Sequence, residues 1–271
     1  MLIFRMSYAR AELVTSAKNP LLKEIRRAAD RGALTPSGCM VAESFHLLEE
    51  ALRGDCAVEA VLAAESVRST VETHIKGLPS IRLYVVPDAL FELVATTEAP
   101  QGVVALVRPP QWTLDHLFRG NSLVVLLDGV QDPGNAGSIV RAAEAFGATG
   151  VMFLKGSVSP YNPKALRAAA GSLFRVPFVT GLEPALALTA IEQKRLDLFA
   201  TLPREGLMLH DANLKRRFAV AIGGEGRGVS DKLRATAKGL RIPTTAVESL
   251  NAAVAASIVL YEAHRQRMIE K

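Results

Sequence analysis

Residues 127–141 read Leu-Asp-Gly-Val-Gln-Asp-Pro-Gly-Asn-Ala-Gly-Ser-Ile-Val-Arg and mark the point where an apolar run turns into a helical pattern. The preceding residues 122–127 (Ser-Leu-Val-Val-Leu-Leu) are apolar without alternation. This is typical of a parallel strand that is buried on both faces. Pro133, Gly134 and Asn135 favour turns and helix starts. The stretch therefore predicts a buried strand, a tight turn and a helix over residues 134–146.

Two later stretches have the same form. Residues 222–230 read Ile-Gly-Gly-Glu-Gly-Arg-Gly-Val-Ser, and Ile242-Pro243 is followed by Ser-Leu-Asn-Ala-Ala-Val-Ala-Ala over residues 249–256. Ligands of open α/β proteins bind at the carboxyl ends of strands, so three such ends predict one composite site. None of the stretches matches a Walker loop or the dinucleotide fingerprint. The site is therefore not a standard nucleotide-binding loop.

The composition fits a globular protein with a basic balance. The chain has 271 residues, of which 49% are hydrophobic and 22% charged, and its formal net charge is +5. Such a charge is compatible with nucleic-acid binding without requiring it. Cys39 and Cys56 make neither a disulfide framework nor a zinc motif, which indicates a reducing compartment. We expect both to be small buried side chains.

Targeting signals and metal motifs are not evident in the sequence. The start, Met1–Met6, is too short for a signal-peptide core, and no apolar run has the length needed to cross a bilayer. We therefore expect a cytoplasmic protein that does not enter membranes. The five histidines show no metal-ligand spacing, so no metal is predicted.

The first half alternates helical and strand-like segments and predicts a small α/β domain over residues 1–108. Its predicted helices are 18–30, 44–53, 65–76 and 87–94, and its predicted strands are 39–42, 58–63, 81–86 and 103–107. Arg108-Pro-Pro then breaks the pattern, because paired prolines favour an extended linker. We assign residues 109–121 to this linker.

The second half, residues 122–271, predicts a mainly parallel sheet covered on both faces. Its predicted strands are 122–127, 150–154, 176–179, 196–201 and 218–222, followed by the short strand that ends at Ile242-Pro243. Helices are predicted over 163–170 and 184–194. A last helix is predicted over 249–268, with Ser249 as its N-cap.

Three polar side chains in these stretches are candidates for chemistry. Arg141 lies on the helix face opposite Ile139 and Val140, and it either stays solvated or grips a phosphate. Glu225 would repel a phosphate, so it better suits an arginine, a hydroxyl or a cationic group. Asn251 stands among alanines, and a buried asparagine needs hydrogen-bond partners.

Basic residues elsewhere are candidates for phosphate contacts. The first helical segment carries Lys18, Lys23, Arg26, Arg27 and Arg31, which form either an RNA-facing surface or an ordinary solvated face. Arg167 is a further candidate, together with Lys155, Lys164 and Arg175, because all four fall near predicted strand ends.

Taken in order, the three stretches resemble the SpoU/TrmH family of RNA 2′-O-ribose methyltransferases, in the SPOUT class. The first is similar to the family's Asn-Xaa-Gly-Xaa-Xaa-Xaa-Arg motif, the second to Gly-Xaa-Glu-Gly-Xaa-Gly, and the third to Ile-Pro followed by Ser-Leu-Asn. Residues 16–20 and 97–104 extend a weaker resemblance to the family's substrate-binding domain. Ala252 departs from the family pattern, which often has valine there.

The resemblance implies an α/β fold with a C-terminal SPOUT domain. That domain has a parallel sheet and a trefoil knot, and a smaller ribosomal-protein-like α/β domain that binds RNA precedes it. It also implies S-adenosylmethionine as the cofactor and a homodimer formed through the C-terminal domain. The cofactor would be bound around Thr201, Leu202, Gly223, Gly224, Ile242 and Leu250. The catalytic group would be Arg141, with Asn135, Glu225, Ser249 and Asn251 positioning it and the hydroxyl.

The implied reaction is methyl transfer to a ribose 2′-hydroxyl of structured RNA. Ribosomal RNA is favoured over transfer RNA because a full domain precedes the catalytic one. A transfer-RNA 2′-O-methyltransferase and a non-catalytic RNA-binding or assembly factor of the same fold remain alternatives. A Rossmann-type dehydrogenase is disfavoured, because no Gly-Xaa-Gly-Xaa-Xaa-Gly turn follows an early strand.

Overall fold

The computed structural model describes residues 11–54 and 56–268, so the start Met1–Met6 considered above lies outside the described residues. The chain forms two compact units. The first unit contains the residues up to Pro110 together with Tyr161–Phe174. The second contains Gln111–Pro160 and Arg175 onward. The first unit therefore includes a segment that lies in sequence within the predicted second domain.

The first unit is an α/β layer around a mixed five-stranded sheet. Its elements in chain order are β1 (Glu12–Leu13), α1 (Pro20–Arg31), β2 (Met40–Glu43), α2 (Phe45–Arg53), β3 (Ala57–Ala64), α3 (Arg68–His74), β4 (Arg82–Val86), α4 (Asp88–Phe91) and β5 (Val103–Arg108). The strand order is β1-β4-β3-β5-β2. Strands β1, β4 and β3 are parallel, whereas β5 is antiparallel to both β3 and β2.

Helix α1 shows how the sequence produces an amphipathic element of this unit. The Asn19 side chain accepts a hydrogen bond from the Leu21 amide at 2.8 Å, and Pro20 occupies the first turn. Leu22, Ile25 and Ala28 are buried against the core. The charged residues are left on the opposite face, as the sequence predicts.

The second unit contains a seven-stranded sheet in which every pair of neighbouring strands is parallel. Its strand order is β10-β12-β9-β11-β6-β7-β8. The elements are α5 (Leu114–Leu117), β6 (Leu123–Asp128), α6 (Pro133–Ala145), β7 (Gly150–Leu154), β8 (Phe178–Leu182), α8 (Pro184–Gln193), β9 (Asp197–Thr201), β10 (Leu207–Met208), β11 (Phe218–Gly223), α9 (Asp231–Arg234), β12 (Lys238–Arg241) and α10 (Ala252–Met268), with α7 (Pro163–Ala169) between β7 and β8 in the chain. The predicted parallel sheet is confirmed. The trefoil knot implied by the resemblance stays a prediction.

Helix α7 belongs to the first unit and packs against β2. Its Arg167 lies 3.5 Å from the carboxylate of Glu43, a residue that is only 2% exposed. Arg167 also donates a hydrogen bond to the Thr96 hydroxyl at 2.6 Å. Glu43 accepts further hydrogen bonds from the Thr96 amide and from the Thr97 hydroxyl, both at 2.8 Å. This buried network fixes α7 within the first unit.

Several element boundaries differ from the prediction. The predicted helix 87–94 is regular only over α4, and the predicted helix 65–76 begins with a 3₁₀ turn before α3. Within the predicted linker, α5 packs on β7 and β8 through the buried Leu117. Cys39 is buried as expected, but Cys56 is only partly buried, so the prediction for Cys56 was wrong.

Helix α10 packs along α6 in the second unit. Ala252, Ala256 and Ala263 are buried, and these small side chains allow the close approach that the sequence suggested. Neither α10 nor any other helix in the described ranges is long and apolar enough to span a membrane.

Candidate active site

The carboxyl ends of neighbouring strands in the second unit form a cleft of about 660 Å³. Strands β12, β9 and β11 lie side by side in the sheet, and the segments that follow them line the cleft. The lining includes all six residues predicted to bind a cofactor: Thr201, Leu202, Gly223, Gly224, Ile242 and Leu250. The second and third of the quoted stretches therefore meet in one cleft, as the sequence predicts.

Backbone packing requires glycine at two positions of the turn after β11. A Cβ on Gly223 would lie 2.1 Å from the carbonyl carbon of Gly228. A Cβ on Gly224 would lie 2.2 Å from the carbonyl oxygen of Gly129, in the turn after β6. Both distances are impossible for a side chain. Glycine at position 223 therefore lets the turn close on itself, and glycine at position 224 lets it pack against the turn after β6.

Three polar side chains from three different segments meet beside this cleft. The Asn135 Nδ2 donates to Glu225 Oε1 at 2.7 Å. The Asn251 Nδ2 lies 3.1 Å from the same oxygen and 3.0 Å from Asn135 Oδ1. Two amides thus hold one oxygen of the Glu225 carboxylate. This arrangement connects all three stretches quoted from the sequence.

Asn251 also starts the last helix, which corrects the sequence prediction. Its Oδ1 accepts hydrogen bonds from the Ala253 amide at 2.9 Å and the Val254 amide at 3.2 Å. The N-cap is therefore Asn251 rather than Ser249, and α10 begins at Ala252. Asparagine can serve as cap and donor at once because its amide has both an acceptor and a donor end. Ser249 lines the cleft instead.

Asp128 also belongs to this region, although none of the sequence motifs indicates a role for it. It ends β6, is 6% exposed, and its Oδ2 accepts a hydrogen bond from the Ser230 amide at 2.6 Å. Its backbone carbonyl accepts a second bond from the Gly224 amide at 3.1 Å. Asp128 therefore anchors both ends of the turn that carries Glu225. Its position at the end of an apolar strand was the available signal.

Arg141 stands apart from this cluster within the chain. It is exposed on α6 and is not among the residues that line the cleft. It makes no hydrogen bond or ion pair with another residue of the described ranges. It lies six positions after Asn135, which corresponds to roughly 9 Å along a helix axis. The structure thus brings together Asn135, Glu225 and Asn251, but leaves Arg141 exposed on the helix.

The predicted RNA-binding residues fall into two groups within the first unit. Lys23, Arg26, Arg27 and Arg31 are exposed on α1, where Arg26 lies 3.8 Å from Asp30. Lys18 is exposed just before that helix. Arg167, by contrast, is engaged by Glu43 and Thr96. The α1 residues are available to a ligand, while the contacts of Arg167 are those of a structural residue.

Comparison with known proteins covers both units. Residues 122–261 match the SpoU rRNA Methylase family, and residues 19–105 match the MRM3-like substrate binding domain. The chain is 32% identical to the 23S rRNA (guanosine(2553)-2′-O)-methyltransferase RlmP of Bacillus subtilis, over 92% of this chain and 97% of that protein. It is 37% identical to the 23S rRNA (uridine(2479)-2′-O)-methyltransferase of Streptomyces viridochromogenes, over 67% of this chain and 66% of that protein.

A solved structure supports the same assignment. The SpoU methyltransferase AviRb from Streptomyces viridochromogenes, in complex with AdoMet, superposes with a TM-score of 0.84. The sequences are 28% identical, and the match covers 93% of this chain and 99% of that one. The three motifs, the parallel sheet and these similarities lead to one conclusion: the chain belongs to the SpoU rRNA Methylase family.

Proposed function

We propose that this protein transfers a methyl group from S-adenosylmethionine to a ribose 2′-hydroxyl of RNA, with ribosomal RNA as the substrate. The observation that carries the proposal is the Asn135–Glu225–Asn251 cluster at the edge of a cleft of about 660 Å³. The relatives named above, which are 23S rRNA 2′-O-methyltransferases, support the substrate class. We also propose that the protein acts in the cytoplasm.

The cleft fits a ligand of the size and chemistry of S-adenosylmethionine. Its volume lies within the range of roughly 300–1,000 Å³ that is usual for small-molecule sites. Leu202 and Leu250 offer apolar surface, while Thr201 and the backbone around Gly223 offer hydrogen-bonding groups. When bound, the donor supplies a methyl group that its sulfonium already activates. The chain therefore has to align the hydroxyl and allow the proton of that hydroxyl to be removed.

Glu225 is the side chain best placed to accept a hydrogen bond from the ribose 2′-hydroxyl. Its Oε1 accepts two amide hydrogen bonds, whereas its Oε2 accepts none from the described residues. We assign Oε2 as the acceptor of a hydrogen bond from the ribose 2′-hydroxyl. The two asparagines fix the carboxylate, so little orientational freedom is lost when the substrate arrives.

Arg141 is proposed to orient the ribose and its adjacent phosphate. A guanidinium stays protonated and is therefore a poor base, but it binds phosphate bidentately. For Arg141→Ala we expect kcat for methyl incorporation to fall by about 10²-fold or more, because misplacement of a reacting group has effects of this size. The measurement is transfer of radiolabelled methyl groups to RNA, with circular dichroism as the check on folding.

Arg175 on the same unit is not a suitable control for this experiment, because it pairs with Glu144. Arg195 is a better one, since its backbone has a positive φ of 54° and a glycine is tolerated there. Arg195→Gly should leave methylation unchanged. Turnover of Arg141→Ala near the wild-type level would contradict the assignment.

The alternatives differ from the proposal in measurable ways. A non-catalytic assembly factor would bind RNA but would show no heat of S-adenosylmethionine binding by calorimetry. A transfer-RNA enzyme would methylate purified transfer RNA in preference to ribosomal RNA. Mapping of 2′-O-methyl positions in RNA from cells that lack the protein would identify the target nucleotide.

A homodimer through the second unit completes the proposal. Val254, Tyr261 and Met268 repeat every seven residues along α10 and are 47%, 54% and 57% exposed. Residues at this spacing share one face of a helix, and such an apolar stripe is typical of an interface.

For Val254→Glu we expect the dimer to dissociate. Position 254 is the third of α10, where glutamate is favoured, so the helix itself should remain stable. The charge would nevertheless have to be buried in the interface. Sedimentation equilibrium of the variant and of Tyr261→Glu measures the result. A wild-type monomer, or variants that remain dimeric, would contradict the proposed interface.

A further inference from the structure

Some of the arginines that line the cleft form ion pairs, whereas another does not. Arg204 forms an ion pair with Glu248 at 2.7 Å. Arg234 lies 3.8 Å from Asp231 and 4.0 Å from Glu205. Arg227 lines the same cleft and is exposed, but it forms no ion pair or hydrogen bond with any residue that the structure describes. Its positive charge is therefore available to a ligand.

The position of Arg227 relates it to the proposed reaction site. It lies two residues after Glu225 in the turn that follows β11, so the two Cα atoms are at most about 7 Å apart. Glu225 is held by Asn135 and Asn251 and does not pair with Arg227. Between them, a Cβ on Gly226 would meet no atom within 4 Å. The backbone of the turn is open to a ligand at this point.

We propose that Arg227 binds the RNA phosphate that follows the target ribose. The inference rests on the proposed function, in which Glu225 holds the 2′-hydroxyl. The 2′- and 3′-oxygens of a ribose are on adjacent carbons, so the 3′-phosphate arrives together with that hydroxyl. A guanidinium two residues after Glu225 can then bind this phosphate with two hydrogen bonds. Arg227 thereby sets which ribose of a bound strand comes to the donor.

The carboxylate of the methyl donor is the other anion that could enter the cleft. We favour the phosphate because Arg227 is on an exposed turn with open space around Gly226, where a polymer can approach. Phosphate contacts also position a nucleic acid without reading its bases. The two ligands make separable contributions to steady-state kinetics, so one experiment can distinguish them.

The test compares Arg227→Gln and Arg227→Lys with the wild type under varied RNA, donor and salt concentrations. For Arg227→Gln we expect KM for RNA to rise about tenfold, since a hydrogen bond to a charged group is worth about that factor. We expect KM for S-adenosylmethionine to remain unchanged. The dependence of log(kcat/KM) on log salt should become shallower by about 0.7–0.9, as for loss of one phosphate contact. Arg227→Lys should retain the wild-type salt dependence.

Arg216→Gln is the matched control. Arg216 is exposed and precedes β11, so it lies at the opposite end of that strand from Arg227. The Arg216→Gln substitution removes the same charge and should leave both KM values and the salt slope unaltered. A tenfold rise in KM for the donor in Arg227→Gln, or kinetics identical to the wild type, would overturn the inference. A wild type that transfers no methyl to any RNA would instead contradict the proposed function.

Discussion

Asn251→Asp is expected to reduce kcat for RNA methylation by about 10²–10³-fold while leaving the fold intact. Aspartate replaces the amide that donates to Glu225 Oε1 and Asn135 Oδ1 with a second carboxylate. Loss of one preorganised donor has effects of this order, and repulsion from Glu225 adds to it. The measurement is single-turnover methyl transfer at saturating RNA and donor.

The same substitution preserves the start of α10. Aspartate is as good an N-cap as asparagine, so the bonds from the Ala253 and Val254 amides can be kept. We therefore expect the free energy of unfolding to change by less than about 1 kcal/mol. Serine is also a good N-cap residue, so Asn251→Ser should likewise lose activity while its free energy of unfolding changes little. Equal losses of both in the two variants would mean that Asn251 acts only as a cap.

Arg167→Ala is expected to destabilise the protein by about 3 kcal/mol, although the sequence suggested a role in RNA binding. The substitution leaves the 2%-exposed Glu43 carboxylate without its cation. The bonds from Thr96 and Thr97 remain and keep the cost at the lower end of the range for a broken buried pair. Urea unfolding followed by circular dichroism measures the change.

Two further variants separate the structural role from the RNA-binding one. Glu43→Gln combined with Arg167→Ala should recover part of the lost stability, because no buried charge is left unpaired. Arg27→Ala, at an exposed position on α1, should weaken RNA binding and leave stability unchanged. If Arg167→Ala weakened RNA binding with no loss of stability, the assignment of Arg167 as a structural residue would be wrong.

The parts of the fold that could be predicted are those with a local physical cause. The apolar run of β6 and the periodicity of α1 follow from burial, and both elements are found close to their predicted bounds. The composite cleft could be predicted because the carboxyl ends of parallel strands share one edge of a sheet. That rule predicts that the glycine turn and the Ile242 segment lie together.

What could not be predicted depends on contacts between residues far apart in sequence. Short elements such as β10 gain their stability from the neighbouring strand β12, which a local pattern does not reveal. The choice of Asn251 over Ser249 as cap depends on where the chain meets Glu225. The pairing of Arg167 with Glu43 joins residues 124 positions apart, and no periodicity indicates it.

Helix α7 has a consequence for the modularity of the protein. The sequence region that matches the methylase family runs from 122 to 261 and includes α7, yet the packing of α7 is with the first unit. The chain therefore passes between the units at Pro110 and again on either side of Tyr161–Phe174. If the chain were cut at the linker, the fragment that carries α7 would expose Ala165, Leu166 and Ala169. Its Arg167 would also lose its carboxylate partner. The first unit therefore cannot be exchanged as one continuous segment of the chain. A variant with a different RNA target has to preserve the surface of the first unit on which α7 packs.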